Sequence, residues 1–326
     1  MLETIALPGS GRVTTRLGFG GSGLMGGLSE RESLRLLETA FDAGIRHFDV
    51  APAYGHGRSE RCLGKFLQVK RDQITVATKY GILPPARAGL LEMARRVVRP
   101  AVARLPAVRS RVAKAAAGLR SKAKFSEEEA RRSLDQSRRE LGVERIDVWL
   151  LHEATADDLD GSDLLPLLQD AQRRGWVGTF GVGAECARLP DLWKRHRNYC
   201  PVLQFEWSGL AEEEVSFPGA FLIHHRAISG AFGPLRRFLE QDSDLCRQWS
   251  NAVDLDLSDS KLLAGVLLQA ALAANTGGMV LFSSRVPEHI LANVHAAEEA
   301  DAGARGRRFL ELVAEKRSEI RSQEKS

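Results

Sequence analysis

Eight short apolar runs, separated by stretches of helical periodicity, constrain the fold of this chain more than any other feature. They are Arg16–Gly20, His47–Val50, Ile74–Lys79, Ile146–His152, Val177–Val182, Val202–Trp207, Phe221–His224 and Met279–Phe282. Most are near-continuous in apolar residues, as expected of parallel strands covered on both faces. Ser29 followed by Glu32 forms a capping box that opens a helix ending near Gly44, and Ser126 with Glu129 repeats the device before a stop at Gly142. Further helices are expected at Ser162–Arg174, Glu185–Arg197, Ser258–Ala274, Pro287–Ala300 and Ala304–Lys316. Eight strands alternating with helices predict a parallel (β/α)8 TIM barrel, with an open doubly wound sheet as the competing arrangement.

Two places break the alternation. Only Ser208 to Gly219 separates the sixth and seventh runs, which leaves scarce room for a crossover helix. Conversely, the third run is followed by a long basic segment. Pro84–Lys124 holds eleven Lys/Arg and one acid, a balance of +10, against −6 for the rest of the chain. The 326 residues are therefore expected to form one barrel domain, 1–326, with a basic helical insertion at 84–124. Leu90, Ala94, Val97, Ala101 and Leu105 follow helical spacing with arginines interleaved, and Pro100 should break that helix. The insertion either packs on the barrel side or folds over its mouth, where its charge would favour anionic substrates.

Composition closes off other classes. With 44% hydrophobic residues the chain can bury a sizeable core. Its four cysteines are scattered and form no CxxC pair, which fits reduced thiols in a cytoplasm. The start, MLETIALPGS, has no signal-peptide character, and the most apolar run, Leu262–Ala274, is too short to span a bilayer. No aromatic residues interleave the basic segment, so no nucleic-acid partner is expected. His224 and His225 are adjacent and point to opposite faces of a strand, so no metal site is expected. Oligomeric state is not legible in the sequence.

In such a barrel the working residues sit at the C-terminal ends of strands. The second run ends in HFDVAPAYGHGRSE, giving Asp49 and, in the following loop, Tyr54; the third ends in TVATKYG, giving Lys79; the fourth ends in DVWLLHEA, giving His152. Taken singly, each has a bland reading as a helix cap, a solvated lysine or a core histidine. Together they make sense as a proton donor to a carbonyl. A phenol with a pKa near 10 is a poor acid at neutral pH; a nearby ammonium lowers that value, a buried carboxylate keeps the ammonium charged, and an imidazole can hydrogen-bond the carbonyl oxygen.

With these motifs in their contexts, the sequence resembles the aldo-keto reductases, closest to bacterial members acting on aldoses or pyridoxal-like aldehydes. The resemblance runs from about Arg16 to Val294, interrupted by the basic segment. It implies a TIM barrel, a nicotinamide cofactor bound without a Rossmann fold, and Asp49, Tyr54, Lys79 and His152 as the catalytic tetrad. It also implies cofactor contacts. Gln204 in VLQFEWS matches the residue that holds the carboxamide, and His224 in FLIHHRAISG falls where an aromatic stacks on the nicotinamide. In LFSSRVPEHILANV, Ser283 and Ser284 fall in the phosphate turn, His289 at a basic or polar position and Asn293 at an adenine-facing amide.

Ser22 belongs to a glycine-rich first-strand loop approaching the cofactor, and Arg285 is placed to favour NADP modestly over NAD, or to allow both. Met25 and Trp207 are candidate substrate walls. Two departures bear on cofactor grip: Gly183–Ala184 stand where the family usually has Ser-Asn, and Ala292 replaces an acid beside Asn293. The expected function is NAD(P)-dependent interconversion of a small aldehyde, ketone or sugar lactol and its redox partner. The alternatives are a nicotinamide-binding regulatory or scaffold protein and a barrel enzyme of non-redox acid–base chemistry.

Overall fold

The computed structural model describes residues 1–84, 121–211 and 215–322. An antiparallel hairpin of β1 (Thr4–Leu7) and β2 (Arg12–Thr15) comes first. A closed barrel of parallel strands follows: β3 (Leu17–Gly20), β4 (His47–Asp49), β5 (Thr75–Tyr80), β6 (Ile146–His152), β7 (Val177–Gly183), β8 (Val202–Glu206), β9 (Phe221–His225) and β10 (Met279–Phe282). β10 pairs with both β9 and β3, which closes the ring. All eight apolar runs are strands of that barrel, and the open-sheet alternative is excluded.

The helices are α1 (Glu30–Asp42), α2 (Ser59–Leu67), α3 (Glu127–Leu141), α4 (Ala156–Leu159), α5 (Leu164–Arg173), α6 (Leu189–Arg195), α7 (Ala227–Gln241), α8 (Ser243–Val253), α9 (Ser260–Ala274), α10 (Pro287–Glu298) and α11 (Ala302–Ser322). Their boundaries have local causes. The Ser29 hydroxyl accepts from the Glu32 amide while the Glu32 carboxylate accepts from the Ser29 amide, a complete capping box for α1. Gly142, in left-handed conformation, ends α3. The helix expected over Glu185–Arg197 is shorter: a 3-10 turn occupies Cys186–Arg188, and α6 starts beyond it with Pro190 in its first turn.

The hairpin was not foreseen from the sequence. It closes the N-terminal end of the barrel: Leu7 is buried in one cluster with the interior residues Ala77, Val148, Leu150, Val202 and Ile223. The Thr75 hydroxyl donates to Thr14 Oγ1 at 2.8 Å and lies 2.9 Å from His47 Nδ1. The hairpin therefore closes this end of the barrel by packing and hydrogen bonds.

The two interruptions of the alternation resolve differently. β8 and β9 pair directly, and no helix joins them among the described residues. The basic segment leaves and returns at the rim just beyond β5, where the Leu83 amide donates to Ser121 O at 3.0 Å and the Ala123 amide donates to Gly81 O at 2.8 Å. The amphipathic helix expected near Leu90–Leu105 lies outside the described residues.

Between β9 and β10 the chain builds three helices where one crossover suffices. The periodicity of α7 is obscured in the sequence by Gly230, Gly233 and the internal Pro234. Leu235, Phe238, Trp249, Leu263, Val266 and Phe309 from α7, α8, α9 and α11 form a second apolar core beside the barrel. Helices α9 and α11 cross in close contact at Gly306, where an added Cβ would lie 2.4 Å from the Gln269 carbonyl oxygen. Backbone cannot yield as a flexible side chain does, so Gly306→Ala is expected to cost about 1–3 kcal/mol. A lowered Tm in thermal melts checks this; an unchanged Tm would mean that the helices separate freely.

Candidate active site

Asp49 is the last residue of β4, a strand of only three residues, and its backbone pairs with Gly20 and Ala77 on either side. The chain then turns sharply. Tyr54–His56 form a 3-10 turn in which Gly55 and His56 both have left-handed φ. A Cβ on Gly55 would lie within 2.6 Å of Ser59 Oγ and Leu24 O, so only glycine fits the conformation and the space together. The turn is clipped to the first-strand loop by the Ser59 hydroxyl, which donates to Leu24 O at 3.0 Å. Tyr54 is thereby carried to the barrel rim rather than into solvent.

Lys79 points into the barrel from β5 and is almost wholly buried. Its Nζ donates to Asp49 Oδ1 and, at 3.2 Å, to Val50 O. It also sits 5.4 Å from the Tyr54 ring centroid. Burial alone would lower its pKa; the charge of Asp49 and hydrogen bonds to Asp49 and the Tyr54 phenol outweigh that, so the ammonium titrates above the ordinary lysine value. His152 ends β6, half-buried, and its ring meets Tyr54 edge-to-face at 6.2 Å. Gln204 of β8 donates from Nε2 to Asp49 Oδ2 at 2.8 Å. Asp49, Tyr54, Lys79 and His152 are thus brought together.

They line one end of a cavity of about 720 Å³. From there it runs past Gly183, Ala184 and Gln204, then past Gly20, Ser22, Ser283 and Ser284, to the cleft between α9 and α10 at Ser260, Lys261, His289, Ala292 and Asn293. The Ser22 and Ser283 hydroxyls face each other at 3.4 Å.

Four sequence-derived candidates are placed elsewhere. His224 points outward from β9 and stacks on Trp207, with centroids 5.6 Å apart and planes within 5°. The imidazole that lines the cavity is its neighbour His225, because Gln204, Glu206 and His225 share the inward parity of paired strands β8 and β9. Trp207, engaged with His224, is not among the lining residues. Met25 is buried in the barrel core, and Arg285 lies across Gly23, where a Cβ would meet its Cγ at 3.3 Å; neither lines the cavity. Sequence reading also missed Arg226, Ile228, Phe232 and Lys261, which reach the cavity from the helices beyond β9. Only the unusual length between β9 and β10 hinted at them. Among the described residues, no three His, Cys, Asp or Glu side chains are grouped to hold a metal ion, and no helix is long and apolar enough to cross a membrane.

With this geometry in hand, comparison with known proteins assigns the class. The sequence profile of the Aldo/keto reductase family matches residues 16–216, and this chain belongs to that family. It is 35% identical over 187 residues to D-threo-aldose 1-dehydrogenase of a Pseudomonas species, covering 55% of this chain and 53% of that protein. It is 34% identical over 155 residues to pyridoxal 4-dehydrogenase of Microbacterium luteolum, covering 46% and 43%. The chain thus matches about half the length of these curated relatives.

Among solved structures, the holo form of an aldo-keto reductase from Bacillus halodurans superposes with a TM-score of 0.67 at 19% identity, covering 99% of this chain and 96% of that one. An aldo-keto reductase from Klebsiella pneumoniae in complex with NADPH gives 0.63 at 17% identity, covering 96% and 95%. These likenesses establish the shared barrel.

Burial has a consequence for stability. His47, His224 and His225 are each held to a pKa of about 4, chiefly by desolvation. An unfolded histidine titrates near 6.5. Between those values the unfolded chain binds protons that the folded chain does not, so this contribution to stability is lost as pH falls from about 6.5 to about 4. Tm measured across that window is expected to fall with pH, and a flat profile would show that these imidazoles are solvated.

Proposed function

We propose that this chain is an NAD(P)-dependent oxidoreductase that interconverts a small aldehyde, ketone or sugar lactol and its redox partner. The observation that carries the reading is the convergence of Tyr54, Lys79, Asp49 and His152 at one end of a cavity that continues into the α9–α10 cleft. The named activities of the two dehydrogenase relatives support the substrate class. The basic balance of residues 84–124, whose flanks pair at this same rim, supports a preference for anionic members of it.

The cavity fits a nicotinamide dinucleotide. At its inner end Gly183 and Gln204 line it beside the tetrad, and a Cβ on Gly183 would already sit in van der Waals contact with Gln204 Oε1 at 3.5 Å. Gln204 Oε1 and the His225 ring would hold the nicotinamide there, Ser283 and Ser284 the phosphates, and Asn293, His289 and Lys261 the adenosine end. The cofactor, when bound, supplies or accepts the hydride.

The residues of the chain manage the proton. Asp49 keeps Lys79 charged, and the Lys79 ammonium stabilises a phenolate on Tyr54, bringing its pKa toward the working range. In reduction the Tyr54 hydroxyl donates its proton to the carbonyl oxygen; in oxidation the phenolate takes it back. His152 donates a hydrogen bond to the same oxygen, orienting it and stabilising the charge that develops there.

A second reading, a nucleotide-binding chain without turnover, is favoured by one observation: Gly183 and Ala184 offer no side-chain donor or acceptor to the carboxamide. Turnover separates the two. Tyr54→Phe is expected to lower carbonyl reduction by about 10²–10⁴-fold while leaving NADPH affinity, read by tryptophan fluorescence, within a few-fold. Retention of a tenth of wild-type turnover would assign the proton to another group.

Cofactor choice is expected to rest on Lys261 rather than Arg285, because Lys261 lines the cavity. Lys261→Ala should weaken NADPH binding by roughly tenfold, on the order of 1.4 kcal/mol, and NADH less. Equal losses for the two nucleotides would remove Lys261 from contact with the 2′-phosphate.

A further inference from the structure

Asp49 has two oxygens, and the structure uses them differently. Oδ1 accepts from Lys79 Nζ, while Oδ2 accepts from Gln204 Nε2 at 2.8 Å. Asp49 is 4% exposed and Gln204 3%, so although both border the cavity, little of either group meets solvent. The orientation of the Gln204 amide is forced: an ionised carboxylate only accepts, so the NH₂ must face Asp49 and Oε1 must turn away, toward Gly183. Gly183, paired with Gln204 across β7 and β8, presents no polar side chain that could draw the amide elsewhere.

We infer that Gln204 is a positioning residue for the proton donor, acting through Asp49 and Lys79 on the Tyr54 phenol. This rests on Tyr54 being the acid, as proposed above. The physical argument is one of charge sharing. A buried carboxylate with a single partner would turn its whole charge on Lys79 and cancel the ammonium's field at Tyr54. By donating to Oδ2, Gln204 draws off part of that negative charge and fixes the plane of the carboxylate, so Oδ1 alone meets Nζ. Lys79 then remains an effective cation toward the phenol, to which it donates a hydrogen bond. Gln204 thereby has two separable functions: Nε2 orders the tetrad, and Oε1 is left for a ligand in the cavity that Gly183 and Gln204 line.

The test is titration of the Tyr54 phenolate by ultraviolet absorbance in wild type and Gln204→Met, each run against its own Tyr54→Phe counterpart. The chain has three tyrosines, and this subtraction isolates the one in question; burial also pushes the Tyr80 phenol far above its ordinary range. Methionine keeps the length of glutamine and lacks the donor. The Tyr54 midpoint is expected to rise by on the order of half a unit, since the lost bond acts through an intervening ion pair. Should the methionine variant not fold, Gln204→Asn retracts the same donor by one methylene and is expected to shift the midpoint in the same direction. An unchanged or lowered midpoint overturns the inference and leaves Gln204 as a ligand contact only. The measurement needs neither cofactor nor substrate. If no carbonyl is turned over with NADPH or NADH, the functional reading fails while the titration still decides the role of Gln204.

Discussion

The buried pair of Lys79 and Asp49 is the interaction on which the rest of this site depends. Moving an ammonium and a carboxylate out of water costs several kcal/mol for each ion, and their attraction offsets that only when the remaining hydrogen-bonding capacity is also filled. The barrel meets this condition from three strands and a loop. Lys79 comes from β5, Asp49 and the Val50 carbonyl from the end of β4, Gln204 from β8, and Tyr54 from the turn after β4. Contributors separated by as many as 155 residues converge because the ring closes. In the proposed reaction this pair is what sets an ammonium beside the Tyr54 phenol.

The two ends of the barrel divide the labour. At the N-terminal end, hairpin β1–β2 lies across the opening, and buried Asp147 accepts from the Val76 amide at 2.8 Å and pairs with Arg71 at 2.9 Å. Its other oxygen, Oδ1, has no hydrogen-bond partner and only the Arg12 guanidinium 3.8 Å away, and Asp147 does not line the cavity, so the cluster reads as closure of the fold. At the other end the polar groups surround open space. This asymmetry follows from parallel strands: every strand delivers its C-terminal residue, and the loop after it, to the same rim.

The helices between β9 and β10 set the outer wall of the cavity. Helix α7 contributes Ile228 and Phe232, and α9 contributes Lys261, Ala264 and Leu268. They are held by a second core of their own, centred on Trp249, Phe238 and Phe309. The ligand cleft is thus a seam between two packed units, and residues far in sequence from the tetrad shape what enters it. The inner end differs in kind. There Gly183 and Ala184 border the cavity without a polar side chain, and the Gln204 amide donates to Asp49.

Local sequence determined a large part of this protein. Apolar runs covered on both faces marked all eight barrel strands, the N-cap serines Ser29 and Ser126 marked where α1 and α3 begin, and polar residues at strand ends and in the loop after β4 picked out Asp49, Lys79, His152 and Tyr54, which the fold brings together, because each signal is carried by neighbours within a few residues. What the sequence did not carry is whatever depends on strand parity at an end or on packing between distant elements. His225 rather than His224 lines the cavity because the register of β9 against β8 decides which of two adjacent rings faces inward, and no single-strand pattern states that register. Arg285 lies over Gly23, and Lys261 takes the cavity wall at the start of α9, which follows α7 and α8 in the long connection between β9 and β10. The hairpin β1–β2 is stable only against the barrel floor it covers, since an isolated two-stranded ribbon is at best marginal in water. The Gln204–Asp49 hydrogen bond exists because closing the ring sets β8 facing β4 across the barrel, a juxtaposition that only the tertiary structure supplies.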